Sequence, residues 1–282
     1  MQYADLHVHG RLSKGFDFEP AAISRLRELA NRRGLTGFGL TEHIHAKQFW
    51  EMHDYLRRRY AYRHGAYDVG GGYPMLSGCE VTVAEKVDFI LLGELDQLER
   101  LDFAFSPSLS EGHFPAGIVF LEEARRRDLL VIAAHPFREG KELGRLPLGA
   151  TLDRVAALEI NGKDYRLDDA VAPLAATAGL PVSGGSDAHH PFQVGIRSTV
   201  IPGNELSLES VRAAFEAKRT RIDGKSYAPL VVDLCKGLKQ AATIRSLAAA
   251  MAARCESQVG PTAARDIGTQ GPARARACSK RF

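Results

Sequence analysis

Short apolar runs recur along the first two hundred positions, separated by polar stretches with helical spacing. They predict strands at 2–8, 36–41, 75–81, 87–93, 129–134, 156–160 and 180–183. Between them, Pro20 suits the first turn of a helix in which Ile23, Leu26 and Ala30 recur at helical spacing and Gly34 ends it. Residues 47–63 read as a polar, aromatic-rich helix, and the neighbouring His53 and His64 read as surface residues. Further helices are predicted from Pro115 to Arg127 and from about Leu167 to Ala178. Ser198–Ile201 predicts another strand, Ser207 caps a helix bearing Leu208, Val211 and Phe215 on one face, and 227–253 reads as a terminal helix. Near-continuous apolar strands alternating with helices are the mark of parallel βα units, so the expected class is α/β.

Composition narrows this. A chain of 282 residues, 45% hydrophobic, suits one large domain with a tail or two small ones. It has no run of ~18 apolar residues, so no membrane span is expected, and no basic-then-apolar leader. Cys79, Cys235, Cys255 and Cys278 are scattered without a CxxC, which argues against a disulfide framework or zinc ribbon and for a reducing cytoplasm. The net charge is +3, but residues 254–282 hold six basic and two acidic residues, leaving the body at −1. That tail is rich in Gly, Pro, Ala, Ser, Thr and Arg and reads as disordered. A near-neutral body gives no expectation of a duplex nucleic-acid surface, and nothing sets an oligomeric state.

The candidate chemistry lies at the strand ends. His7 and His9 alternate on the first strand, so both imidazoles can reach one ion, and Asp5 reads as lying on the same face, able to orient a ligand. His43, Glu80, His135, Asp187 and His189 follow at or just past later strand ends. Each has an ordinary reading alone: His135 precedes a proline, Glu80 could pair with an arginine, and Asp187 with His189 could build a turn. A βα barrel brings such ends to one mouth, and five histidines with carboxylates there point to metal. Arg138 is a candidate phosphate clamp and Arg197 a weaker one. His190 is expected outside the cluster and His45 at its mouth, while Phe49 and Trp50 are candidates for a pocket wall or for packing.

Asp5-Leu-His-Val-His-Gly10, Leu40-Thr-Glu-His43, Gly78-Cys-Glu80, Ala134-His-Pro-Phe137, Glu159-Ile-Asn-Gly162 and Gly185-Ser-Asp-Ala-His189 resemble, in order, the motifs of the polymerase and histidinol phosphatase (PHP) domain family. The resemblance implies a distorted (β/α)7 TIM-like barrel with two or three divalent ions (Zn, Mn or Fe) at the C-terminal ends of the strands, hydrolysing phosphoesters. It implies a PHP domain over 1–225, ahead of the 226–253 helix and the 254–282 tail. His7, His9, Glu80 and Asp187 would hold the first ion, Glu80 bridging to a second shared with His135, and His43 and His189 would belong to a third. The candidate catalytic set is Glu80 and Asp187 together with Arg138 and Lys14.

The chain departs from the family pattern in two places. Where many members carry a histidine completing the second site, Asp88 stands nearby, with Glu94 a lesser substitute. The first loop lacks a further histidine and carries Lys14, which could offer positive charge to phosphate. The expected function is a metal-activated-water phosphoesterase acting on a small phosphorylated substrate, nucleotides included, with loops 44–73 and 94–114 choosing it. The alternatives are an amidohydrolase-type metal hydrolase, against which Glu80 and the Asp187-x-His189 pair stand, and a non-catalytic PHP binding module.

Overall fold

The computed structural model describes residues 1–11, 16–110 and 114–258, with side chains except at 106–110 and 246–258. In chain order the elements are β1 (Gln2–Val8), α1 (Pro20–Arg32), β2 (Gly37–Leu40), α2 (Phe49–Arg59), β3 (Ala61–Arg63), β4 (Ala66–Asp68), β5 (Pro74–Thr82), β6 (Asp88–Leu92), α3 (Leu95–Ser110), α4 (Gly117–Arg126), β7 (Leu130–Ala133), α5 (Leu148–Leu152), β8 (Ala157–Asn161), α6 (Asp168–Ala178), β9 (Val182–Gly185), β10 (Arg197–Ile201), α7 (Leu208–Glu216), β11 (Arg221–Gly224) and α8 (Ala228–Gln258).

The strands form one sheet in the order β11-β10-β1-β2-β5-β6-β7-β8-β9. It curls until β9 meets β1 through a parallel bridge between Val8 and Ala188, with His9 N donating to Ala188 O at 2.8 Å. The result is a nearly closed α/β barrel. Gly185 allows the closure: a Cβ there would lie 2.4 Å from His7 Cβ and 2.5 Å from Glu159 Oε1.

Two features differ from a regular βα repeat. β6 runs antiparallel to both β5 and β7, because only the turn at 83–87 joins it to β5. A parallel crossover needs a dozen residues or more. Asp88 at the start of β6 therefore stands opposite Thr82 at the end of β5, on the same mouth as the C-terminal ends of the others. The second feature is a bulge in β1, which pairs Asp5 with Phe38 but Val8 with Leu40. Three steps on one strand against two on its neighbour reverse the alternation, so Asp5 shares a side with Val8 while His9 takes the other. The expectation that Asp5 lies on the histidines' face is thereby corrected. Its carboxylate instead accepts from the backbone N–H groups of His7, Ser186 and Gly195 (3.3, 2.9 and 2.7 Å), tying β1 to the β9–β10 connection. Burial pushes this carboxyl up to about 6 despite those hydrogen bonds.

The interior below the mouth is apolar, with Ala4, Leu6, Leu76, Ile90, Leu92, Leu130, Ile132 and Ala157 packed toward Val211 and Phe215 of α7. The alternate residues Val8, Phe38, Leu40, Phe89, Leu91, Val131 and Leu158 pack against the outer helices. The stretches read as loops hold more structure than expected. α3 occupies most of 94–114, and a β3–β4 hairpin sits within 44–73, turning on His64 and Gly65 at φ 49° and 71°.

His53 corrects another expectation. It is buried on α2 beside Phe49, Met52 and Leu56, with Nδ1 3.0 Å from the Tyr67 hydroxyl. Burial, helped by Arg57, lowers it to about 3. It therefore stays neutral in the fold but takes a proton near its ordinary 6.5 when unfolded, so stability is lost as pH falls through 6.5 toward 3. Between pH 7 and pH 5 the wild type should lose about 2 kcal/mol more than His53→Gln in denaturant unfolding. Equal losses would mean that His53 charges inside the fold.

The chain divides into a unit from Met1 to Gly237 and a second from Leu238 to Phe282. Within the first, the start of α8 packs Ala228 and Val232 on Ile196. The second is described only as the continuation of α8 to Gln258, and the remainder of the basic tail lies outside the described residues. Among the described residues no helix is long and apolar enough to cross a membrane.

Candidate metal centre

The mouth is built from strand extensions. Beyond β2, Glu42 and His43 run alongside β5, with Glu80 N donating to Glu42 O (3.0 Å) and Ile44 N to Glu80 O (3.1 Å). His135 and Asp187 stand two residues past the ends of β7 and β9 and take left-handed backbone, φ 30° and 53°. Non-glycine residues in such conformations carry strain and gather at functional sites.

Three groups of donors come within 4.8 Å of one another: His7, His9 and Asp187; Glu80, Asp88 and His135; and His9, His43 and His189. They overlap. Glu80 Oε1 lies 3.2 Å from His135 Nε2, and its Oε2 lies 2.9 Å from His43 Nδ1 and 3.5 Å from His9 Nε2. Asp187 Oδ1 is 3.3 Å from His9 Nε2. His7 and His9 present their Nε2 atoms to each other at 3.2 Å.

That last distance tests whether an ion fits. Glu159 Oε1 holds His7 Nδ1 at 2.8 Å and Glu42 Oε1 holds His9 Nδ1 at 3.3 Å. Each carboxylate favours a proton on Nδ1, so the facing Nε2 atoms need a cation between them, and a proton or a metal ion can supply it. Ligands ~2.1 Å from a tetrahedral centre are ~3.4 Å apart, close to the spacings here. Asp88 Oδ1 and His135 Nδ1 are also buried without a hydrogen-bond partner. The donor set fits divalent metal.

The electrostatics are those of a site that attracts positive charge. Burial opposes charge on every group, yet His43, His135 and His7 hold Glu80 well below the usual carboxylate range, and Lys163 and Arg138 do the same for Asp187. Burial pulls His7 and His9 down, but the surrounding carboxylates lift both, His7 well above its ordinary value. Burial, His9 and Lys163 lower His189 to about 3, the neutral form a ligand needs. Cations ring the acids. Arg138 bonds Asp164, Asn161 and Asp187 (2.8, 3.2 and 2.9 Å), Lys163 bonds Asp187 and His189 (2.7 and 2.9 Å), and Lys141 contacts Asp88. Their side chains are 24%, 21% and 33% exposed, so the positive charge faces the opening.

The family described as PHP-associated matches residues 170–220. No curated protein matches the chain. The crystal structure of PsfC from Pseudomonas syringae PB-5123 is similar at 25% identity and TM-score 0.69, over 85% of this chain and 98% of that one. The lesion-specific endonuclease PfuEndoQ from Pyrococcus furiosus is similar at 22% identity and TM-score 0.62, over 78% of this chain but only 57% of that protein. Endonuclease Q bound to a 27-mer duplex with an abasic lesion matches at 22% identity and TM-score 0.61, over 77% of this chain and 56% of that one. The match over 170–220 supports a PHP-type assignment for that part of the chain, and the solved structures share its fold.

In this barrel His7, His9, His43, Glu80, Asp88, His135, Asp187 and His189 all come together at the mouth, and Arg138 reaches it through Asp187. Lys14 lies outside the described residues. Arg197 instead pairs with Asp168 at 2.6 Å, and His190 caps a short turn by accepting from Phe192 N. His45 is half-buried, its ring 5.7 Å from His43 and 5.4 Å from Phe114. Phe49 is buried on α2, and Trp50 donates to Asp102 at 2.7 Å, both packing rather than lining the mouth. Sequence reasoning assigned no role to Glu42, Glu159, Lys141 or Lys163. The first two sit inside the quoted motifs, whereas nothing local marks the lysines.

Proposed function

We propose that this chain is a divalent-metal-dependent phosphoesterase that hydrolyses a small phosphomonoester or short nucleotide with a metal-activated water. The supporting observation is the overlap of three donor groups in one mouth, with His9 common to two of them and Arg138, Lys141 and Lys163 partly exposed around it. His7, His9 and Asp187, Glu80, Asp88 and His135, and His43 with His189 would hold two or three ions, and the nitrogen and oxygen donors suit zinc, manganese or iron. Such ions supply Lewis-acid charge to a phosphoryl oxygen and acidify a water for in-line attack.

The chain's own residues prepare that chemistry. Glu42 and Glu159 fix the imidazole tautomers, and Arg11, buried against Glu42 at 3.5 Å, ties the first loop to them by donating to Phe16, Lys47 and Gln48 carbonyls. Arg138 and Lys163 neutralise Asp187 and offer an anionic substrate a favourable approach. The body's −1 charge supports a small substrate over a duplex, which needs many phosphate contacts. The scattered cysteines support a cytoplasmic setting, with Cys79 and Cys235 both free and buried.

The test is phosphate release with Mn2+ or Zn2+ from histidinol phosphate, nucleoside bisphosphates, short oligonucleotides and an abasic duplex. Turnover of a small ester, abolished by chelation and restored by metal, is expected. Saturating Mn2+ at ~100 times its Kd should also add about 2.7 kcal/mol of stability. Less than one ion per chain after mild purification, with no activity on adding metal, would sink the enzyme reading. Cleavage of the duplex alone would replace the substrate assignment.

A further inference from the structure

The turn after β7 brings two cations to the centre on different terms. Arg138 is anchored by Asp164, Asn161 and Asp187 together. Lys141, three residues on, has one acidic partner, Asp88, and the more exposed side chain. Its backbone N–H closes the turn on Arg138 O at 2.9 Å, and Gly140 at φ 78° reverses the chain just before it.

We propose that the Lys141 ammonium is a built-in competitor for the ion held by Glu80, Asp88 and His135, so that this second ion binds weakly and exchanges readily. The inference rests on the metal-dependent reading above. Lys141 reaches the same Asp88 oxygen, Oδ2, that lies 3.5 Å from His135 Nε2, inside the donor group rather than beside it. Asp88 is fully buried and its Oδ1 has no hydrogen-bond partner. While it is ionised, a buried carboxylate with a bare oxygen needs a cation beside it, and lysine and metal are alternative ways to supply one. An ammonium and a divalent ion a few ångström apart repel strongly in a poorly solvated site, so occupancy by one displaces the other. The flexible lysine stem can swing to solvent, where its charge is well hydrated, and return when the ion leaves.

The consequence is quantitative. If Lys141 holds Asp88 in about nine molecules of ten, the apparent affinity for the second ion falls about tenfold. Calorimetric titration of the full chain with Mn2+ should show a tighter and a weaker event. Lys141→Met should tighten the weaker one about tenfold and leave the tighter one unchanged, which also reports an intact fold. Lys141→Arg should keep the weak event weak, and Asp88→Asn should remove it. A weaker event unchanged or further weakened in Lys141→Met would overturn the competition while leaving the metal reading in place. No Mn2+ binding to any of the proteins would overturn both.

Discussion

Glu80→Gln should lower turnover by about 10³-fold and remove about one ion per chain, while the apo protein melts within a few degrees of wild type. The Glu80 carboxylate reaches four imidazoles of the mouth. One oxygen lies 3.2 Å from His135, and the other faces His43, His9 and His7 at 2.9, 3.5 and 3.7 Å. Glutamine keeps the shape but exchanges a charge for an amide whose N–H groups point at imidazole nitrogens and cannot ligate. In a buried site the lost charge matters twice, in holding ions together and in stabilising the charge that develops on the phosphoryl group. A 10³-fold loss corresponds to about 4 kcal/mol of barrier, within reach of one bridging ligand. Single-turnover phosphate release, read beside metal content, checks both parts. Full activity in the variant would remove Glu80 from the bridging role.

The apolar runs made the strands legible because most are buried on both faces, and burial on both faces leaves little alternation to misread. The direction of β6 was legible too, had the spacing been used, since 83–87 is too short for a crossover helix. The burial of His53 was encoded in Phe49, Met52, His53 and Leu56 at helical spacing, yet its polar neighbours outweighed that pattern. Asp5 is different. A bulge depends on how two strands pair, so strict alternation assigned it the wrong face. Every candidate ligand stood at or near a strand end, and the structure brings them to one mouth. The supports were not legible, because Glu159 meets His7 only when β8 and β1 face each other across the closed barrel, and Lys141 and Lys163 approach from turns. Residue type and local period mark the ligands, whereas tertiary closure selects what holds them.

Glu159→Gln should weaken metal binding by about 10- to 100-fold without touching a ligand. Glu159 accepts from His7 Nδ1 at 2.8 Å, from the His135 backbone N–H at 2.8 Å and from Asn161 Nδ2 at 3.0 Å. An amide can satisfy them only by turning its NH2 to His7 Nδ1 and driving that ring's proton to Nε2, the atom that faces His9; turned the other way, its NH2 meets two N–H donors and is left buried without an acceptor. That second orientation costs about 1–3 kcal/mol of stability. The larger effect falls on the ions. His7 belongs to one donor group and His135 to another, so a single carboxylate orients ligands in both. Losing it frees the His7 tautomer and loosens the strained backbone at His135, where φ is 30°. Calorimetric Mn2+ titration should therefore show both binding steps weakened in the same variant. Loss at one step only would mean that Glu159 supports a single ligand, and affinities within twofold of wild type at both would show that the histidines are oriented by something else.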